Sequence, residues 1–277
     1  MGQGVSDRSM DYLVNLMIEP LLATATKAGN PSILETLLSS SIAPLIATIS
    51  TLIVLYLNQR IEQGKNKQKL LLEYLNPLRL SLEENYNRVN RIKAILDKEK
   101  VAQDLLVIQT PQEVSDKPSI WFNESGCFLI SSCYLTACMF YHLKKVREDL
   151  PYLNLGGAND TKLWQCMFGV NLAFTQDLGI YYVIQYSIGH DMYSQETQQL
   201  LSYREFCQRL QDQEERVWFD RLISFYLDAG HGRYPERLNN VISQIENLSI
   251  YIEKTIKASR SIQARSQSEQ ANRILKR

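Results

Sequence analysis

Residues 71–96, LLEYLNPLRLSLEENYNRVNRIKAIL, carry apolar side chains at Leu71, Leu75, Leu78, Leu82, Val89, Ile92 and Leu96, with Asn85 filling the remaining slot of the series. The spacings alternate four and three without a break, which is the period of a helix that buries one stripe. A half-buried strand would alternate every second residue. Asn85 is the polar intruder, a residue that fixes register or partner number at a seam and costs some stability there. Packing of the stripe within one chain is expected ahead of a seam between chains, because most amphipathic helices pack inside their own domain. Pro77 lacks an amide proton and crowds the turn before it, so it bends this helix or marks a second start. The segment reads as a kinked stalk leading into a helical domain.

Upstream lies SSSIAPLIATISTLIVLYLNQRIEQGKNKQK, from Ser39. No charged residue occurs from Thr36 to Asn58, and 23 residues of α-helix reach about 35 Å against roughly 30 Å of bilayer hydrocarbon. The run starts too late and continues too long for a signal peptide. Pro44 is tolerated in a spanning helix, and Tyr56 suits its interfacial end. Arg60, Lys65, Lys67 and Lys69 follow with only Glu62 among them, so the excess of basic residues puts the C-terminal side in the cytoplasm. A single pass through the plasma (inner) membrane is expected, with the large C-terminal domain cytoplasmic. A buried core helix is the rival reading of the run.

Before it, residues 1–35 read as a surface-lying helix and turn, MDYLVNLMIEPLLATATKAGNP, broken by Glu19 and Pro20. A hairpin of two spans is the alternative there. The opening MGQGVS fits a myristoylation pattern that has meaning only in a eukaryote.

Downstream of the stalk, residues 101–118 read as a loop or brief strand. Gly126 to Leu143 carries no full charge but is short, rich in Ser, Cys and Thr, and followed by Lys144 and Lys145. It is expected as the buried central helix, with Gly126, Ser132 and Ala137 letting neighbours approach. Further helices are expected from Thr161 with Asp160 as N-cap, from LGIYYVIQYSIG ending at Gly189, and from the capping box Ser202-Tyr-Arg-Glu205 through Trp218 to Gly230. The last begins near Glu236 with Leu238, Ile242, Ile245, Ile252 and Ile256 on one face.

The fold class is therefore all-α: one transmembrane helix at 36–58, a kinked stalk, and a helical bundle of about six helices within 59–256. Residues 257–277 hold six basic residues against Glu269 and read as a solvated, disordered tail.

Catalysis needs convergent polar groups, and the recognisable arrangements are missing: no phosphate-binding glycine loop, no H-E-x-x-H, no G-x-S-x-G and no C-x-x-C. Five cysteines, Cys127, Cys133, Cys138, Cys166 and Cys207, lie in apolar patterns, as buried free thiols do. His142 closes the oily run, while His190 and His231 each follow a glycine and read as turn residues. Their union with Asp191 and Asp228 in one metal or acid–base site is the alternative. No metal and no cofactor is expected. The many aromatics read first as core, and second as a cleft in which Tyr182, Gln185, His190, Trp218 and Arg221 bind a flat ligand. Thirty basic residues balance thirty acidic ones, so nucleic acid is disfavoured as a partner.

These features lead to three expectations of function. The first is a membrane-anchored cytoplasmic module that binds or senses a protein or small ligand, with the bilayer as a standing partner and homo-oligomerisation allowed. The second is an oligomeric pore-forming or membrane-disrupting effector, in which Ser39, Ser40, Ser41, Thr48, Ser50 and Thr51 line contacts between spans. A membrane-bound enzyme is the third.

Overall fold

The computed structural model describes residues 48, 51–59, 61–62, 64–65, 71–153 and 158–256. The expected surface helix at 1–35, most of the expected span at 36–58, the tail at 257–277, and Arg60, Lys67 and Lys69 lie outside the described residues. The chain divides into two units, Met1–Gly64 and Lys65–Arg277.

In the first unit residues 51–59 are helical. Leu52 to Leu57 are six consecutive apolar side chains, each between 44 % and 60 % exposed. Six residues turn the helix through more than a full circle, so the apolar surface lies on every face. Among the described residues, no helix is long and apolar enough to cross a membrane.

The second unit is all-α, as its sequence periods dictate. A π-helical turn, Leu71–Leu75, leads directly into α1, Asn76–Glu99, with Pro77 in the first turn of the regular helix. Proline is accommodated there because it opens the regular α-helix, for which its fixed φ is already suited. The wider π turn absorbs the change of path before it, so Pro77 marks a start and leaves α1 itself unbroken. Leu75, Leu78, Leu82, Asn85, Val89 and Ile92 are all buried, and α1 packs them against α2, Cys127–Leu153, and α8, Pro235–Ile256. The seam lies within the chain.

Residues 101–123 contain no strand. They form short 3-10 turns at Gln103–Leu105, Pro111–Val114 and Ser119–Asn123, and DLLVIQT contributes Leu105 and Ile108 to the core. A capping box of Thr110 and Glu113 closes the second turn. Helix α2 is the central element: Leu129, Ile130, Cys133, Ala137, Cys138, Met139, Phe140, Leu143 and Val146 are buried along it, and it touches helices on several sides. It runs ten residues beyond the expected end at Leu143, so His142 sits within the helix.

Helix α3, Ala158–Thr175, begins before Asp160, which is thus inside the helix and not its N-cap. Asp177 and Leu178 at positive φ turn the chain into α4, Tyr182–Asp191. A close approach between helices occurs at Gly189 of α4, where it meets α2. A Cβ there would lie 2.8 Å from the carbonyl carbon of Phe140, closer than packed atoms come. A two-residue hairpin pairs β1, Tyr193–Ser194, with β2, Gln199–Leu200.

The single helix expected from Ser202 to Gly230 is three: α5, Tyr203–Gln211; α6, Gln213–Arg216; and α7, Asp220–Gly230. Asp212 breaks the first by adopting extended backbone and accepting from the amides of Glu214 and Glu215, the competition between side chain and helix that aspartate makes at caps. Helix α8 buries Leu238, Val241, Ile245, Leu248 and Ile252 against α3 and α1.

Candidate functional site

An open cleft of about 540 Å³ lies between the β1–β2 hairpin and α5–α6, lined by Tyr193, Glu196, Glu205, Arg209, Asp212 and Glu215 among others. The Ser-x-x-Glu spacing explains part of its wall. Ser202 Oγ accepts from the Glu205 amide, and the Glu205 carboxylate accepts from the Ser202 amide at 2.7 Å, closing the capping box. Those bonds from the Ser202 hydroxyl and amide hold the Glu205 carboxyl below its ordinary range. Arg209 Nε meets Glu215 at 3.3 Å and its Nη1 donates to the Asp191 carbonyl at 2.9 Å. Asp212 is occupied in capping α6. The wall is thus acidic, and Glu205, Asp212 and Glu215 already serve caps or an ion pair.

None of the residues expected to guide a flat ligand lines this cleft. Tyr182, Gln185 and His190 share α4, whereas Trp218 lies in the turn after α6 and Arg221 in the first turn of α7. Gln185 is buried, and its Nε2 donates to the carbonyls of Asn171 at 2.9 Å and Ile180 at 2.6 Å. The glutamine pins the α3–α4 connection through its Nε2. Tyr182, His190, Trp218 and Arg221 are exposed, with Tyr182 edge-on to Tyr186.

Two of the three histidines differ from their expected settings. His190 is inside α4, as its penultimate residue, and only His231 caps a helix, α7. Asp191 is raised by burial, and Asp228 pairs with Arg233 at 3.0 Å. Among the described residues no group of three or more His, Cys, Asp or Glu could hold a metal ion. His142, half-buried on α2, is lowered to about 4 by burial, with Lys145 adding like-charge repulsion.

The cysteines are free, with Cys133, Cys138 and Cys207 buried. Burial pushes the Cys138 thiol up to about 12 and Cys207 to about 11, which leaves them without thiolate character near neutrality.

The principal polar constellation of the interior joins α1, α2 and α7. Asn85 donates to the carbonyls of Ser81 and Leu135, each at 2.8 Å, and accepts from Thr136 Oγ1 at 2.8 Å; Thr136 in turn lies 2.6 Å from the Tyr226 hydroxyl. One turn on, Arg88 donates to Phe128 O, Ser131 Oγ and Ser132 Oγ and stacks on the Phe128 ring. Sequence reasoning found Asn85 from its slot but had no signal for Thr136 and Tyr226, which are 51 and 90 residues from their partners. Of the cleft only the Ser202–Glu205 box has a signal in the sequence, since the other lining residues meet through the packing of the hairpin against α5–α6. A comparison with known proteins finds no match: no family model fits the sequence, and no curated protein and no solved structure is similar to it.

Proposed function

We propose that the chain is a membrane-anchored helical module whose bundle, on the cytoplasmic face of the plasma (inner) membrane, binds a protein or small ligand. The observation that supports it most is the helix at 51–59, apolar on every face and exposed, inside an uncharged run of 23 residues from Thr36 to Asn58. A helix of that kind needs a surrounding other than water. Arg60, Lys65, Lys67 and Lys69 then set the orientation, and the path through the π turn at Leu71–Leu75 into α1 serves as the stalk. The ligand-binding part rests on exposed side chains of the bundle surface, Trp218 and Arg221.

Cysteine substitution at Lys27 and at Lys69, with an impermeant thiol reagent applied to intact cells, tests the reading. Labelling at position 27 alone is expected. Labelling at position 69 reverses the orientation, and a chain that stays out of the membrane fraction removes the anchor.

A further inference from the structure

Helix α3 is apolar on two faces, and only one of them is used. Leu163, Met167, Val170, Ala173 and Phe174 are buried in the bundle. On the other side Trp164, Phe168 and Leu172 recur every four residues, and the following turn and the start of α4 add Leu178, Tyr181, Tyr182 and Val183. These seven side chains are each between 41 % and 72 % exposed. Trp164 and Phe168 stack on one another, with centroids 5.2 Å apart and planes 8° off parallel. The second group is fastened to the first: Gln185 holds the Asn171 and Ile180 carbonyls, Asn171 Nδ2 donates to Tyr186 at 3.1 Å, and Tyr182 packs edge-on against Tyr186.

At about 200 Å² for a large side chain, the seven expose roughly 700 Å². That is more than the ~300–600 Å² of the largest apolar patch on a typical monomer, and close to the ~800 Å² each partner contributes to a standard interface.

Charge selects the occupant. From Thr161 to Val183 the chain carries two ionised residues, Lys162 and Asp177, one of each sign. Anionic headgroups are attracted by clusters of basic residues, and this stretch has no such cluster. A neutral face also carries no net repulsion against itself. A stripe at i, i+4 and i+8 is a ridge of the kind that fits between the same ridges of another helix at about −50°, and two copies related by a two-fold axis present identical ridges. From this we infer that a second copy of the chain covers this face, α3 against α3, with Phe168 near the axis and the tyrosines of the α3–α4 turn at the ends of the contact. The inference stands independently of the membrane anchor and does not use the α1 seam, which is buried within the chain.

The test uses the full chain in phosphatidylcholine vesicles, in a Cys166→Ser background, with Phe168→Cys introduced and mild oxidation applied. A disulfide-linked dimer is expected, absent without the new thiol and reduced at least tenfold when Trp164→Glu and Leu172→Glu are added, with the melting curve of that variant showing that the bundle remains folded. No dimer band at Phe168→Cys, or a band that the two glutamates leave unchanged, overturns the inference. Quenching of tryptophan emission by brominated acyl chains that Trp164→Phe removes, without cross-linking, assigns the face to the bilayer and also overturns it. Flotation of the same vesicles reads the anchor separately: a chain that floats without cross-linking refutes only the dimer, and a chain that cross-links in solution without floating refutes only the anchor.

Discussion

Asn85 shows what a single position says before and after its neighbours are known. From spacing alone it is a seam residue kept for specificity, for which leucine should be neutral or stabilising. Its three hydrogen bonds, and the Thr136–Tyr226 contact they support, reverse that expectation. Asn85→Leu leaves the Thr136 hydroxyl short of a partner in a buried setting, so we expect a loss of about 1–3 kcal/mol in urea unfolding. Adding Thr136→Val should cost less than the sum of the two single changes, since both act on one network. Equal or greater stability of the single variant would show that the network contributes nothing.

His142 gives a second residue-scale prediction. Its folded value is about 4, below the ordinary 6.5, because burial and Lys145 disfavour the imidazolium. The unfolded chain therefore takes up this proton first as pH falls. Stability from this group is intact above about pH 6.5, declines between 6.5 and 4, and is constant below 4. The ring keeps some exposure, so the decline should be about 2 kcal/mol, less than the full conversion of the shift. His142→Gln should flatten that part of the stability–pH curve, and an unchanged slope would place the titration elsewhere.

At the level of elements, legibility followed the range of the physics. The α1 stripe, the Ser202–Glu205 box, the burial of α2 and the face of α8 were readable because each depends on residues within a few turns of one another. The break of the expected long helix into α5, α6 and α7 was not read, since the apolar pattern continues across Asp212 while its side chain takes the amides that would have continued the helix. The outward stripe of Trp164, Phe168 and Leu172 was not read, because a sequence gives the spacing of a face and not which face the bundle covers. Gly189 was read only as a terminator. Its role is the contact of α4 with the Phe140–Tyr141 backbone of α2, where a Cβ meets atoms at 2.8 and 2.9 Å. Backbone cannot yield as a flexible side chain can, so Gly189→Val should destabilise by about 1–3 kcal/mol or more, seen as a lowered melting temperature with helical content retained at 25 °C. A variant as stable as the parent would mean that α4 is free to move away from α2.

For the molecule as a whole, the separation into Met1–Gly64 and Lys65–Arg277 gives the membrane proposal its most direct consequence. The second unit contains its own core: Leu78, Leu82, Val89, Phe140, Phe174, Phe225, Ile245 and Leu248 are buried at 1 % exposure or less, and their packing lies within helices from α1 to α8. A bundle of that size buries enough apolar surface to fold without the preceding segment. Removing residues 1–58 should therefore leave a soluble, mostly helical protein that unfolds in one cooperative step, while the intact chain sediments with membranes and is released by detergent and not by high salt. Salt resistance matters because the basic cluster from Arg60 to Lys69 could by itself hold the chain to anionic lipid, and that attraction is screened as ionic strength rises, whereas burial of Leu52 to Leu57 in hydrocarbon is not. Release of the full-length chain by salt alone would reduce the apolar run to a surface contact, and a truncated chain that still sediments with membranes would transfer the anchoring role to the bundle, with the exposed face of α3 the first surface to examine.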